Sequence, residues 1–289
     1  MLELMADVEN QLGEGVLWCD RSARVFWTDI LGAKLYAHDP VTVKTSTWPM
    51  PEPLASFALT GDDDRLLLGL ASQLAFFHFS TGAITPICAV EAGLTTRLND
   101  GRCDRQGRFV FGTFNTVEPR ESIGGYYRLG ADLKLERLPL ANCAIANSIC
   151  FSPDGATMYY CNSPDRAIRC CDYDPATGAI SNERLFAALD GTSGEPDGSC
   201  IDAAGFLWNA QWGASRVVRY APDGRVDRVI ATPALQPSCV AIGGADMDTL
   251  YVTSARVGMT EPAVHDGALF KQTLSDIRGL PESRFAHQA

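Results

Sequence analysis

Short apolar runs, each bounded by turn residues, follow one another along the whole chain. Typical runs are Val25-Phe26-Trp27-Thr28, Met158-Tyr159-Tyr160 and Phe206-Leu207-Trp208, which are rich in aromatic and β-branched residues. Sequences such as Ser152-Pro153-Asp154-Gly155 and Ala221-Pro222-Asp223-Gly224 have the composition of turns. Because no long segment shows the 3.6-residue hydrophobic period of a helix, the pattern predicts an all-β fold of short strands.

The strand pattern repeats six times, and each repeat holds an opening strand, a turn, a second strand and a third. The residues that open the repeats lie 41, 45, 47, 50 and 41 residues apart, and they are Glu14, Ala55, Asp100, Asn147, Asp197 and Ser238. A solenoid would lack the two turns inside each repeat. Repeats of this length with several strands are typical of propeller blades. We therefore predict a single six-bladed β-propeller domain over residues 1–289.

Composition and charge limit the classes of molecule that the protein is expected to bind. The chain has 289 residues and a formal net charge of −11, so it repels phosphate backbones and anionic membrane surfaces. Nucleic-acid and membrane partners are not expected, and neutral ligands or metal ions remain open. No secretory signal and no apolar run of about 18 residues is present, which favours a cytoplasmic protein. A monomer and a dimer are both compatible with the sequence.

Ten cysteines are present, and none belongs to a Cys-x-x-Cys pair. This argues against a zinc ribbon or a thioredoxin-like redox site. Most of them lie inside apolar runs such as Ile149-Cys150-Phe151, where a thiol behaves as a small hydrophobic side chain. We expect buried, reduced thiols, with the adjacent Cys170 and Cys171 pointing to opposite faces of one sheet.

The polar openers are the candidate functional residues. The first strand of each propeller blade lines the central channel, so the openers should meet at one channel mouth. Four of them carry carboxylate or amide oxygens, which are strong enough ligands for a hard cation: Glu14, Asp100, Asn147 and Asp197. Any one alone is better explained as a turn residue. Together they place three carboxylates in one channel, where only a cation would relieve their repulsion. Oxygen ligands suit Ca²⁺, Mg²⁺ or Mn²⁺, and Zn²⁺ or Fe(II) remains compatible with a catalytic site.

Other catalytic chemistry finds no support in the sequence. None of the four histidines occupies an opener position, and no Gly-x-Ser-x-Gly nucleophile motif is present. Phosphate-binding glycine loops are absent as well.

Several short motifs, in order along the chain, resemble the SMP-30/gluconolactonase/regucalcin family. They are Leu12-Gly13-Glu14-Gly15, Arg97-Leu98-Asn99-Asp100-Gly101, Asn147-Ser148 with Phe151-Ser152-Pro153-Asp154-Gly155, Pro196-Asp197-Gly198, and Leu250-Tyr251-Val252-Thr253-Ser254-Ala255-Arg256. Each motif is short, but their order and spacing cover nearly the whole chain. The combination is specific.

The resemblance implies a six-bladed propeller that binds one divalent metal ion through Glu14, Asn147 and Asp197. Its substrate-contacting arginine and asparagine match Arg97 and Asn99. A further acidic contact lies in a variable loop, where Glu118 and Glu121 both compete. Asp100 belongs to the ring of openers, but the family pattern does not require it as a ligand, so we place it behind the ligands.

The implied reaction is hydrolysis of a sugar lactone to an aldonic acid, in pentose or hexose catabolism. Asp197 would take a proton from the attacking water, and a hydroxide formed at the cation is the alternative base. Two other functions stay open: a metal-dependent phosphotriesterase or fluorophosphatase, and a non-catalytic calcium-binding protein. A pure binder would not need Arg97 and Asn99 at the mouth, which favours the enzyme.

Overall fold

The described residues form a six-bladed β-propeller, as the repeat predicts. The computed structural model describes residues 1–189, 191 and 194–287. These residues fold into six antiparallel four-stranded sheets. The only helical element among them is a single 3₁₀ turn, Ser163–Asp165. No helix in this part of the chain has the length and apolar character needed to cross a membrane.

Each sheet forms one blade, and consecutive strands pair within it. Blade 1 comprises β2 (Gly13–Cys19), β3 (Arg24–Asp29), β4 (Lys34–Asp39) and β5 (Lys44–Pro49). Blade 2 comprises β6 (Leu54–Leu59), β7 (Arg65–Leu70), β8 (Gln73–His78) and β9 (Ile84–Ala89). Blade 3 comprises β10 (Thr96–Cys103), β11 (Phe109–Asn115), β12 (Tyr126–Leu129) and β13 (Leu135–Arg137).

The remaining blades follow the same plan, except that the last one also uses the first strand of the chain. Blade 4 comprises β14 (Ala146–Phe151), β15 (Thr157–Asn162), β16 (Ala167–Tyr173) and β17 (Ile180–Ala188). Blade 5 comprises β18 (Glu195–Ile201), β19 (Leu207–Trp212), β20 (Arg216–Tyr220) and β21 (Val226–Ala231). Blade 6 comprises β22 (Pro237–Gly243), β23 (Thr249–Ser254), β24 (Leu269–Thr273) and β1 (Glu3–Ala6).

The first strands of the six blades surround the central channel. β2, β6, β10, β14, β18 and β22 each contact the corresponding strands of the two neighbouring blades. All six predicted openers lie on these inner strands. The inner strands begin at one end of the channel, which we call the channel mouth, and finish at the opposite end, which we call the channel base.

Apolar side chains fill the spaces between neighbouring sheets. Leu17 of blade 1 packs with Phe57 and Leu68 of blade 2, for example. All ten cysteines are free thiols. Cys170 packs with the blade 5 side and Cys171 with the blade 3 side of blade 4, so the two adjacent thiols face opposite ways as predicted.

Residues 274–287, which we call the C-terminal segment, cross the channel base. Glu282 accepts a hydrogen bond from Arg102 of β10 over 2.6 Å, and both side chains are largely buried. Farther along, the Phe285 amide donates to the Leu59 carbonyl over 2.7 Å. The segment therefore covers the channel base and joins blades 2 and 3 to the end of the chain.

Candidate active site

The predicted metal-binding residues come from three blades and all lie near the start of an inner strand. Glu14 is on β2, Asn147 on β14 and Asp197 on β18, and each side chain is buried. Burial of two carboxyl groups and an amide at one end of a channel is costly unless partners or a ligand compensate them. The geometry therefore brings the predicted set together at the channel mouth.

A β-bulge in each inner strand shapes the mouth. Glu14 and Asn147 occupy the same position, the last paired residue before the bulge. Asp197 lies one position later, inside the bulge, and Asp100 is the second bulge residue of its own strand. The openers were predicted to occupy equivalent positions, and in this detail the prediction was wrong. A bulge adds a residue to one strand and re-aims its side chains, which spacing alone does not reveal.

The residues that follow Glu14 and Asn147 have left-handed backbone conformations. Gly15 has φ of +59° and Ser148 has φ of +60°. Glycine adopts this conformation without a steric penalty, whereas serine does so at a cost. The Ser148 hydroxyl donates to the Asp197 carbonyl over 2.7 Å, and Asn209 Nδ2 donates to the same carbonyl over 2.9 Å. These contacts tie the bulge of blade 4 to that of blade 5.

Electrostatics at the mouth show an excess of negative charge. Burial and the nearby Asp100 raise the pKa of Glu14 to about 8. Burial, followed by the charges of Glu14 and Asp100, raises the pKa of Asp197 well above its usual range. The raised pKa values favour protonated carboxyl groups at the metal-free mouth, whereas a bound cation would favour their ionised forms.

Arg97 and Asn99 lie beside the metal-binding set on β10. The Arg97 guanidinium stacks on Phe114, 4.2 Å from the ring centroid, and donates through Nη1 to Asn99 Oδ1 over 2.6 Å. Burial lowers the pKa of Arg97 to about 10, which leaves it cationic at neutral pH. Asn99 Nδ2 donates to the Ala146 carbonyl over 2.8 Å and to Asn147 Oδ1 over 3.0 Å. Both amide hydrogens of Asn99 are thus used, and only its oxygen retains capacity to meet a substrate hydroxyl.

Asp100 lies deeper in the channel than the three predicted ligands. Its Oδ2 accepts a 2.7 Å hydrogen bond from the Ile149 amide, which occupies one of its oxygens. Burial raises its pKa to about 6. Asp100 also shares a small channel cavity with Arg102 and Glu282, toward the channel base. Its position behind the ligands agrees with an indirect role.

The two loop acids differ in their surroundings. Both are exposed, in the loop that joins β11 to β12. Glu118 forms an ion pair with Arg120, whose guanidinium lies 5.1 Å from the centroid of Phe114, the ring on which Arg97 stacks. The Glu121 side chain has no hydrogen bond or ion pair with any described residue, although its backbone carbonyl accepts from Asn115 Nδ2 over 3.0 Å. Of the two loop acids, Glu118 is the one linked to Arg97, through Arg120 and the Phe114 ring.

The donor set fits a divalent cation bound by oxygen. Among the described residues, no group of three or more His, Cys, Asp and Glu side chains is arranged to hold a metal ion. The predicted set contains only two such side chains, Glu14 and Asp197, because its third member is the amide of Asn147. Two carboxylates and an amide oxygen match hard cations such as Ca²⁺ and Mg²⁺, with water or substrate completing the coordination.

Sequence reasoning missed several residues that support this site. Ser163 lies in the 3₁₀ turn after β15, and its hydroxyl contacts the Asn147 amide. Phe114 provides the surface on which Arg97 lies. Ser163 belongs to the sequence Asn-Ser-Pro-Asp, which indicates only a turn. Nothing in the sequence places either residue against the channel.

A much larger cavity lies elsewhere. It has a volume of about 580 Å³, opens between blades 4 and 5, and is lined by Tyr159, Arg184 and Phe186 among others. None of the predicted site residues lines it. This cavity is therefore separate from the candidate site at the channel mouth.

Comparison with known proteins identifies the family. The model of the "SMP-30/Gluconolactonase/LRE-like region" matches residues 12–256. The chain belongs to this family. It is 52% identical to the L-arabinolactonase of Azospirillum brasilense, over 98% of this chain and 95% of that protein. It is 34% identical to the 6-deoxy-6-sulfogluconolactonase of Pseudomonas putida, with 95% of each chain covered.

A solved structure gives the same result for the fold. The crystal structure of a calcium-binding protein, regucalcin from Agrobacterium tumefaciens, superposes with a TM-score of 0.92 at 29% identity. The alignment covers 98% of this chain and 96% of that one. The family that the sequence motifs indicated is thereby confirmed.

Proposed function

We propose that the protein is a metal-dependent sugar lactonase that opens an aldonolactone to the aldonic acid. One observation carries the proposal. Two buried carboxyl groups and an amide oxygen from three blades meet at the channel mouth, next to an arginine and an asparagine with capacity left for a polar substrate. The two lactonase relatives support the reaction, and the similarity to regucalcin, a calcium-binding protein, supports a divalent ion.

Glu14, Asn147 through Oδ1, and Asp197 are the residues that would hold the cation. The bound cation would supply Lewis acidity to the lactone carbonyl, where negative charge develops during hydrolysis. Because the pKa values of Glu14 and Asp197 are raised in the metal-free protein, protons must leave these carboxyl groups before both can act as anionic ligands. Asp197 then has an oxygen available to take a proton from the attacking water, as a general base does.

Arg97 and Asn99 are assigned to orienting the sugar. Arg97 uses Nη1 for the Leu98 carbonyl and the Asn99 amide oxygen, and no described residue accepts a hydrogen bond from its Nη2. That nitrogen can donate to a ring hydroxyl of the substrate. Asn99 Oδ1 can accept from a neighbouring hydroxyl, because its lone pairs are only partly used. Glu118, held near Phe114 by Arg120, is the loop acid assigned to a third hydroxyl contact.

The first test is hydrolysis by metal-free protein reconstituted separately with Ca²⁺, Mg²⁺, Mn²⁺, Zn²⁺ and Fe²⁺. The substrates are L-arabinono-1,4-lactone, D-glucono-1,5-lactone and the phosphotriester paraoxon. We expect the lactones to be hydrolysed with at least one metal and paraoxon to be a poor substrate. Preference for paraoxon would replace the lactonase with a phosphotriesterase. Metal binding without hydrolysis of any substrate would favour a calcium-binding protein.

Two further expectations belong to this proposal. The enzyme is assigned to the cytoplasm and to pentose or hexose catabolism, where aldonolactones arise by sugar oxidation. Activity of fractionated cells on L-arabinono-1,4-lactone tests the first, and a lactone-accumulating deletion strain tests the second.

A further inference from the structure

A one-way chain of four hydrogen bonds runs through the mouth from blade 3 to blade 5. Arg97 Nη1 donates to Asn99 Oδ1 over 2.6 Å, and Asn99 Nδ2 donates to Asn147 Oδ1 over 3.0 Å. Asn147 Nδ2 donates to Ser163 Oγ over 2.9 Å. The Ser163 hydroxyl then donates to the Pro196 carbonyl over 2.7 Å. Pro196 directly precedes Asp197.

The two ends fix the direction of every bond in the chain. An arginine guanidinium can only donate, and a backbone carbonyl can only accept. The Ser163 hydroxyl has one hydrogen, which it gives to Pro196, so its oxygen must accept from the Asn147 amide nitrogen. The amide oxygen of Asn147 is consequently turned toward Asn99 and the mouth. The hydrogen-bond network thus settles which end of the amide is oxygen and which is nitrogen.

Ser163 is itself rigidly held. Only 3% of its surface is exposed, and its backbone amide donates to the Ile145 carbonyl over 2.9 Å. It lies at the start of the 3₁₀ turn Ser163–Asp165, which connects two strands of blade 4. The hydroxyl therefore reaches the side chain of one proposed ligand and the backbone beside another from a fixed position.

We infer that Ser163 is a positioning residue that presents the amide oxygen of Asn147 to the cation. The inference rests on the metal-binding half of the proposed function. Without the hydroxyl, Asn147 Nδ2 loses its acceptor and only the Asn99 donor still orients the amide. The amide is then less firmly held, so its NH₂ group can compete with its oxygen for the cation site. Loss of a residue that orients a metal ligand typically weakens metal affinity about 10–100-fold.

The primary experiment is calorimetric titration of the metal-free protein with Mn²⁺ alone and, separately, with Ca²⁺ alone. We expect Ser163→Ala to raise the Kd about 10–100-fold. Ser163→Thr keeps the hydroxyl and should restore most of the affinity. Ser254→Ala is the matched control: Ser254 is also buried and its hydroxyl donates to one backbone carbonyl, that of Ala268, over 2.8 Å, but it touches no proposed ligand side chain. Its Kd should equal that of the unmodified protein.

A double-mutant cycle with Asn147→Ala separates positioning from general stabilisation. If Ser163 acts through the Asn147 amide, Ser163→Ala should have almost no further effect on the Kd once that amide is gone. Additive losses in the cycle would show that Ser163 only supports the fold. Unchanged affinity in the Ser163→Ala variant would overturn the inference directly.

Failure of this inference is distinguishable from failure of the proposed function, because the titrations need no substrate. A protein that binds Mn²⁺ or Ca²⁺ as described but hydrolyses no lactone retains the Ser163 role and loses the lactonase. If the protein hydrolyses lactones but Ser163→Ala leaves the Kd for the metal unchanged, the lactonase function is retained and the role of Ser163 is lost. If neither ion binds the unmodified protein, the role of Ser163 falls with the metal site.

Discussion

Both ends of the central channel hold largely buried charged side chains, but the balance of charge differs between them. At the channel base, Arg102 and Glu282 form an ion pair over 2.6 Å, so charge is neutralised by the protein itself. At the mouth, Glu14 and Asp197 lie together and their pKa values are raised by burial and by neighbouring carboxyl groups. The carboxylate at the base has a cationic partner in the fold, whereas the carboxyl groups at the mouth have their pKa values raised by burial and by one another.

This difference separates a structural polar cluster from a functional one. A protein gains nothing in stability from buried carboxyl groups that repel each other, so their presence indicates a site shaped for a ligand. Arg97 neutralises the mouth only in part: its charge lowers the pKa of Glu14, but burial and Asp100 raise that pKa by more. Substitutions at the two ends should consequently have different, and in part opposite, effects.

The largest effect is expected from Asp197→Asn at the mouth. The substitution keeps an oxygen but removes the negative charge and the proposed base, so turnover of L-arabinono-1,4-lactone should fall about 10²–10⁴-fold with metal at saturation. Initial rates measured beside Glu282→Gln provide the comparison, since that change at the base should leave turnover within about a factor of two of the parent. Near-normal rates for Asp197→Asn would move the base to another group.

At the base, Glu282→Ala should destabilise the protein by about 3 kcal/mol, because it leaves a buried guanidinium without its partner. Urea unfolding of the metal-free protein measures the loss. Glu14→Gln, at the mouth, should instead leave metal-free stability unchanged or increased, since it removes a repelling carboxyl group. Equal destabilisation by both changes would show that the two ends do not differ in the way proposed.

The pH dependence of stability gives a third test. The pKa of Glu14 rises from 4.5 to about 8 on folding, so between these values the folded protein holds a proton that the unfolded chain releases. Stability of the metal-free protein should therefore fall as pH rises from about 5 to about 8. Melting temperatures in EDTA across this range report the slope. Saturating Ca²⁺ should flatten the slope, and Glu14→Gln should reduce it, since Asp197 and Asp100 also have raised pKa values. A slope unaffected by either change would place its source elsewhere.

The smallest effect concerns the loop beside the mouth. Glu118→Gln should raise KM for the lactone about 3–10-fold, the worth of one hydrogen bond, with little change in kcat. Glu121→Gln is the matched control, because its side chain has no hydrogen bond or ion pair with any described residue. Steady-state kinetics of the two variants should be measured side by side. A larger change in KM for Glu121→Gln would assign the substrate contact to Glu121 in place of Glu118.

Much of the fold could be predicted because the same pattern of strands and turns repeats in the sequence of each blade. The inner strands from Gly13, Ala146 and Glu195 all begin within a residue or two of the predicted openers. β1 was not predicted: Glu3–Ala6 is short and partly exposed, and its partner lies more than two hundred residues away in β24. A local pattern carries no signal for a pairing so distant.

The types of residue at the site could be predicted from the sequence, but their positions relative to one another could be predicted much less well. Glu14, Asn147 and Asp197 stand out as polar residues at the start of apolar strands, and family motifs mark Arg97 and Asn99. The offset of Asp197 by one position depends on a bulge, which appears only when two strands are paired. The contact between Ser163 and Asn147 likewise arises from the turn after β15 folding back onto β14, and no spacing rule anticipates it.

The sharing of blade 6 between both ends of the chain sets the order in which the ring can form. Leu4 pairs with Phe270, so β1 cannot join its blade until the five intervening blades have been synthesised. Five blades can assemble while this seam is still open, and closing it carries the entropic cost of the longest loop in the molecule. We expect the same seam to open first on the way out. Amide hydrogen exchange should be faster in β1 and β24 than in the inner strands, and uniform protection would argue against a seam.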